Sequence, residues 1–204
     1  MTKRVFLVVG GLIAVLMMAP GGTVLAQAPA DFPDEPDKSM ASAHESFGKG
    51  EMDKAAEQIH KAAVYVRAQS TKVAKSAQQG VTKAGDDLDR LGQDVKKGAV
   101  KSGDQLKKAF AQVDNQLAGA WHATAAQAKT AGKDSTAALK NAGAGLEGAA
   151  KWSGTQLKAG AQASVEGVKK VGQGAKLGAE EVGNFFAGIG EGIADVGKQL
   201  TGSR

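Results

Sequence analysis

The 204-residue chain contains no cysteine. Disulfide staples, thiolate metal sites and cysteine nucleophiles are therefore excluded. Proline is nearly absent as well. All four prolines fall between residues 20 and 36, and the 168 residues after Pro36 hold none. Aromatic residues make up only 4% of the chain, and much of the apolar fraction is alanine, so any core is thin. No stretch alternates apolar and polar residues over the length of a strand. What remains is rich in Ala, Lys, Gln, Leu and Val, residues for which helix is the default. The expectation is an all-α protein without sheet, built from helical hairpins and long amphipathic helices.

Long hydrophobic runs are also scarce. One, from Val5 to Met18, is 14 residues long, shorter than the ~20 needed to span a bilayer. Lys3 and Arg4 precede it, and the small residues Val24 and Ala26 follow. This order predicts a signal peptide over residues 1–26, cleaved after Ala26, and export to the periplasm or beyond. Residues 27–38, "QAPADFPDEPDK", read as a disordered acidic, Pro-rich leader. Without the signal the chain has 24 Lys and Arg against 21 Asp and Glu. That charge is uneven. Residues 27–60 hold 3 basic and 8 acidic groups, and residues 61–204 hold 21 and 13. A basic body is compatible with nucleic acid or with an anionic membrane surface. Export argues against nucleic acid, and a solvated helical surface of mixed charge accounts for the balance.

The apolar pattern repeats every eleven residues. One column runs Val66, Ala77, Leu88, Ala99, Phe110, Trp121, and a second runs Val73, Ala84, Val95, Leu106, Leu117, Ala128, Leu139. Eleven residues make about three turns, so such a stripe stays on one side of a helix. Leu88, Val95, Leu106, Phe110, Leu117 and Trp121 are the expected seam. Glycine beside Asp, Ser or Thr interrupts the pattern at residues 48–53, 84–87, 101–105, 130–136 and 152–156. Glycine suits a helix end, and the short polar residue can cap the next start. Helices are expected near 39–48, 51–79, 86–101, 104–130, 134–152 and 155–200. They divide into a hairpin or bundle region over 39–152 and a Gly-rich C-terminal helix within 153–204.

A weak internal repeat aligns "GEMDKAAEQIHKAAVYVRA" from Gly50 with "GKDSTAALKNAGAGLEGAA" from Gly132. His44 and His122 precede the two copies. Each copy reads as a helix, a Gly turn and a second helix with Ala pairs that permit close approach. The stretch "AHESFGKGEMDKAAEQIHKA" resembles a tetratricopeptide-type hairpin, and more closely the hairpins of the YfdX-type periplasmic helical family. That likeness covers about 25 residues and implies a periplasmic α-helical protein without known catalysis. The Ala/Lys/Gly pattern also resembles, in composition, late-embryogenesis-abundant proteins and other amphipathic helices that lie on lipid.

Residues with chemical potential are few. Glu57 and His60 form a Glu-x-x-His pair on one helix face, and His44 and His122 are the other histidines. Di-iron bundles use two such pairs and two further Glu; only one pair is present here, so the histidines read as packing or surface residues, no metal site is expected, and these four residues are the candidates if there is one. Asp86, Asp87 and Asp89 lack the spacing of a calcium loop and suit a helix start. Neither a nucleophile elbow nor a phosphate loop occurs. The chain therefore reads as a non-enzyme without a cofactor.

The richest pattern lies in residues 169–200, where eight of 32 residues are Gly. At about 100° per residue, Val182, Phe185, Phe186, Ile189, Ile193, Val196 and Leu200 fall within about 60° of one direction. Gly188, Gly190, Gly192 and Gly197 flank them. Eight glycines remove roughly 8 kcal/mol of helix propensity relative to alanine, so the helix needs a surface to form on. Gly174/Gly178 and Gly188/Gly192 have the spacing of small-residue helix packing. The first reading is an exported structural or stress-related protein, acting by helix-mediated binding to itself or another protein. The second is a peripheral protein whose helices form on an anionic membrane surface or on drying. The third is a metal-binding bundle.

Overall fold

The computed structural model describes residues 35–172 and 179–202. Those residues are all-α, with seven helices and no strand among them. The helices are α1 (Glu35–Gly48), α2 (Met52–Gln69), α3 (Lys75–Lys96), α4 (Gly103–Thr130), α5 (Thr136–Ser153), α6 (Ala159–Gly172) and α7 (Ala179–Thr201).

Four helix ends share one device. Gly50, Gly98, Gly132 and Gly154 have φ of +78°, +67°, +66° and +69°. At each, the glycine N–H donates to the carbonyl three residues back, and the next N–H donates five back. Gly50 N donates to Phe47 O and Glu51 N to Ser46 O, at 3.0 and 2.9 Å. This pairing satisfies the orphan carbonyls of a helix end, and the left-handed residue it needs is cheap only as glycine. Restart chemistry is local too. The Ser102 hydroxyl accepts from Gln105 N at 3.3 Å, and the Gln105 side chain accepts from Lys101 N at 2.7 Å. Asp134 accepts from Thr136 N at 2.8 Å, and that bond lowers its pKa.

Helix limits differ from expectation in several places, and α3 ends at Lys96, before the expected 101. Residues 35–38, expected in the leader, form the first turn of α1, where Pro36 is buried. Proline costs little there, because first-turn N–H groups have no intrahelical partner. The expected break at 84–87 is absent: α3 runs through it, and Gly85 packs against Ala63 and Arg67 of α2. The expected helix 51–79 stops at Gln69, and α3 begins at Lys75. No Gly or Pro marks that turn. A tertiary bond holds it, Ala74 N donating to the Thr124 hydroxyl on α4 at 2.8 Å. Finally, the expected helix 155–200 is two helices, α6 and α7. Residues 173–178 and the expected Gly174/Gly178 pair lie outside the described residues, as do residues 1–34 with the expected signal peptide and most of the expected leader.

Consecutive helices pack as antiparallel neighbours. Across α2 and α3, Lys96 meets Asp53 while Arg67 meets Asp86. Along α4 and α5, Phe110 meets Trp152 while Ala118 meets Gly145. α4 is the spine, touching α1, α3, α5 and α7. α7 rests on α4, α5 and α6. The eleven-residue period thus belongs to several antiparallel helices that present their stripes to one core, and not to a single rod.

Candidate functional site

All six expected seam residues are fully enclosed: Leu88, Val95, Leu106, Phe110, Leu117 and Trp121 each have 0% exposure. Val66, Val73, Ala84 and Leu139 of the same columns are buried as well, and three alanines are less covered. Ala99 is exposed, and Ala77 and Ala128 are half-buried. Phe110 meets Trp152 edge-on at 5.2 Å between ring centres. The seam is therefore the interior of the bundle.

The α7 stripe faces the same interior with uneven cover. Ile189, Val196 and Leu200 are buried, whereas Val182, Phe185, Phe186 and Ile193 are half-buried. Glycine explains how a helix so poor in propensity docks here. A Cβ on Gly188 would collide with Ser164 Oγ and approach the Gly160 carbonyl at 2.8 Å. One on Gly192 would meet Leu146 at 2.6 Å and Ala161 at 2.9 Å. The missing methyl groups let α7 approach the α6 backbone at Gly160 and seat against the side chains of Leu146 on α5 and Ala161 on α6, and this packing offsets the lost propensity. Phe185 lies over Gly167 of α6 in the same way.

The four metal candidates are not brought together. Glu57 and His60 share an open groove between α2 and α3 with Asp53, Asp89 and Lys96. His60 Nδ1 lies 2.7 Å from Asp89 Oδ1, and Arg67 pairs with both Asp86 and Asp89. This ion-pair rim binds α2 to α3. His44 lies 6.0 Å from the Trp152 ring, near the start of α4. His122 is hydrogen-bonded to the Phe186 carbonyl at 3.0 Å and packs edge-on against the Phe186 ring. Antiparallel packing sends the three histidines to three different helix junctions. Among the described residues, no group of three or more His, Asp or Glu is placed to hold a metal ion.

The two copies of the internal repeat share their glycine turn but not their faces. Val64 is 51% exposed, and its counterpart Leu146 is buried. Ala68 is exposed and Ala150 is buried.

One buried group escaped the sequence reading. Asp114 is 0% exposed in the middle of α4, with its carboxyl against Gly148 of α5. Burial pushes its pKa well above the usual carboxylate range. The Asp37 charge on α1 adds to the rise, and Lys151 opposes it. A signal was available, since Asp114 is four residues after Phe110 and three before Leu117, on the apolar stripe itself.

No helix among the described residues is long and apolar enough to cross a membrane. No family model, curated protein or solved structure matches the chain.

Proposed function

We propose that the protein is exported, has no enzymatic role, and works as a helical bundle that binds itself or another protein through the first turns of α7. The observation that carries this reading is the uneven cover of the α7 stripe. Ile189, Val196 and Leu200 are buried, while Val182, Phe185 and Phe186 in the first turns, and Ile193 further along, keep part of their apolar surface in solvent. Apolar side chains aligned on one helix face and left half-covered favour a protein surface that completes their burial. The basic, apolar and small-residue order of residues 1–26 supports export, and the α1–α2 hairpin fits the likeness to periplasmic helical proteins.

Sedimentation velocity of the mature protein across a hundredfold concentration range tests the reading. The expected result is a concentration-dependent dimer or larger species that disappears in Val182→Asp without a change in circular dichroism. A protein that stays monomeric and captures no partner through this face would overturn it. A lipid surface is the alternative. In its favour, the Lys129 ammonium stands 5.1 Å from the centre of the half-buried Phe186 ring. A cation beside an aromatic suits an anionic headgroup region. Flotation with phosphatidylglycerol vesicles, lost in Val182→Asp, would favour that alternative.

A further inference from the structure

The start of α4 and the ends of α5 and α7 border an open cleft of about 510 Å³. This lies within the roughly 300–1,000 Å³ usual for small-molecule sites. Three lysines line it, Lys107 and Lys108 from α4 and Lys151 from α5, against one carboxylate, Asp104. That carboxylate neutralises little. It is 95% exposed and stands 3.9 Å from Lys107. Lys108 has no ion-pair partner among the described residues, and the Lys151 ammonium sits 5.5 Å from the centre of the Trp152 ring. Trp152 and Leu200 supply the apolar lining, and both are buried. Trp152 is held in place by Phe110 at 5.2 Å and His44 at 6.0 Å. The Thr155 hydroxyl donates to Gln199 Oε1 at 2.7 Å, which ties the end of α7 to the loop after α5 and fixes one wall.

Three lysines border this one cleft, and an anion bound there relieves the repulsion among their charges. The attraction is stronger beside a buried apolar floor than in open water. We propose that this cleft binds a small organic anion, with a phosphate or carboxylate held by Lys107, Lys108 and Lys151 and an apolar body against Trp152 and Leu200. The three ammonium groups supply charge and hydrogen-bond donors for several anionic oxygens. The size of the cleft leaves room for an organic group beyond a bare phosphate. Free metabolites and lipid headgroups share this chemistry. The site is separate from the exposed turns of α7 and does not depend on what they bind.

Calorimetric titration of the whole protein with phenyl phosphate is the test, with inorganic phosphate and benzyl alcohol as the anion-only and ring-only probes. Phenyl phosphate should bind saturably, inorganic phosphate more weakly, and benzyl alcohol not at all. The Lys108→Ala/Lys151→Ala double variant, with unchanged circular dichroism, should weaken phenyl phosphate binding at least tenfold, about the effect of losing a charge-assisted hydrogen bond. Lys108→Arg/Lys151→Arg should retain it. Flotation with phosphatidylglycerol vesicles separates the sources. Lysine-dependent flotation identifies a headgroup, and its absence alongside phenyl phosphate binding identifies a free anion. No saturable binding, equal binding of benzyl alcohol, or undiminished affinity in the alanine double variant would each overturn the proposal.

Discussion

The central pair α4–α5 and the outer pair α6–α7 are built alike and covered differently. Both pairs rely on glycine for close approach. In α5, Gly145 lies where a Cβ would stand 3.0 Å from the Ala118 backbone nitrogen, and in α7 Gly188 meets α6 in the same manner. Yet α4 has neighbours on several sides, so its stripe is fully enclosed and even Asp114 is shut away from water. α7 lies at the margin, and half of its stripe is only partly covered. A helix face with one and the same spacing becomes sealed core or half-covered margin according to how many neighbours surround it.

The centre of the bundle is where a single substitution costs most. Leu117→Ala removes a fully buried side chain from the spine and should cost about 2–5 kcal/mol, read as a lower denaturant midpoint for the whole bundle. If α6–α7 kept its hydrogen-exchange protection while α4 lost it, the two pairs would not share one cooperative core.

Next in size are two substitutions in α7 with opposite signs. Gly188→Ala should destabilise by roughly 1–3 kcal/mol, because its methyl group would strike Ser164 and the Gly160 carbonyl. Gly183→Ala meets nothing within 4 Å and should stabilise by about 0.5–1 kcal/mol. Thermal melts of the two variants decide whether glycine in α7 serves contact or is merely tolerated.

Asp114 adds a pH dependence particular to the centre. Its folded pKa lies above the unfolded value, so the folded state holds the proton more tightly. Stability from this group is greatest below the unfolded carboxylate range and falls as pH rises toward the folded pKa. Asp114→Asn should flatten that decline, as measured by urea denaturation at a series of pH values. An unchanged slope would mean that Asp114 is already ionised in the bundle. The smallest expected effect on stability belongs to Val182→Asp at the margin, within about 0.5 kcal/mol, since the side chain is only half-buried. Its consequence should appear in association.

Much of this was legible from local chemistry. The glycine turns at 50, 132 and 154 were placed because αL geometry is a property of the residue itself. Ser102 was readable as a start for the same reason. The seam from Leu88 to Trp121 and the stripe from Val182 to Leu200 followed from helical spacing. The turn at 70–74 was not legible, because its anchor, Thr124, lies fifty residues away from Ala74. Gly85 misled in the opposite direction. It is a contact glycine within α3, and its role becomes visible only once Ala63 and Arg67 are beside it. The metal candidates fail likewise, since Glu57 and His60 are neighbours by helical spacing, whereas His44 and His122 are carried elsewhere by the packing.

Composition and spacing determined by themselves that the described chain is helical, which faces are apolar, and where most helices end. These outcomes follow from propensity, periodicity and backbone sterics, each acting within a few residues. Tertiary structure alone decided which apolar face is sealed and which is left half-open, why glycine at 188 and 192 is matched by close helix packing, and that a carboxyl in α4 is buried beside a second carboxyl and one lysine. Those outcomes depend on which helices become neighbours, and distant residues set that through burial.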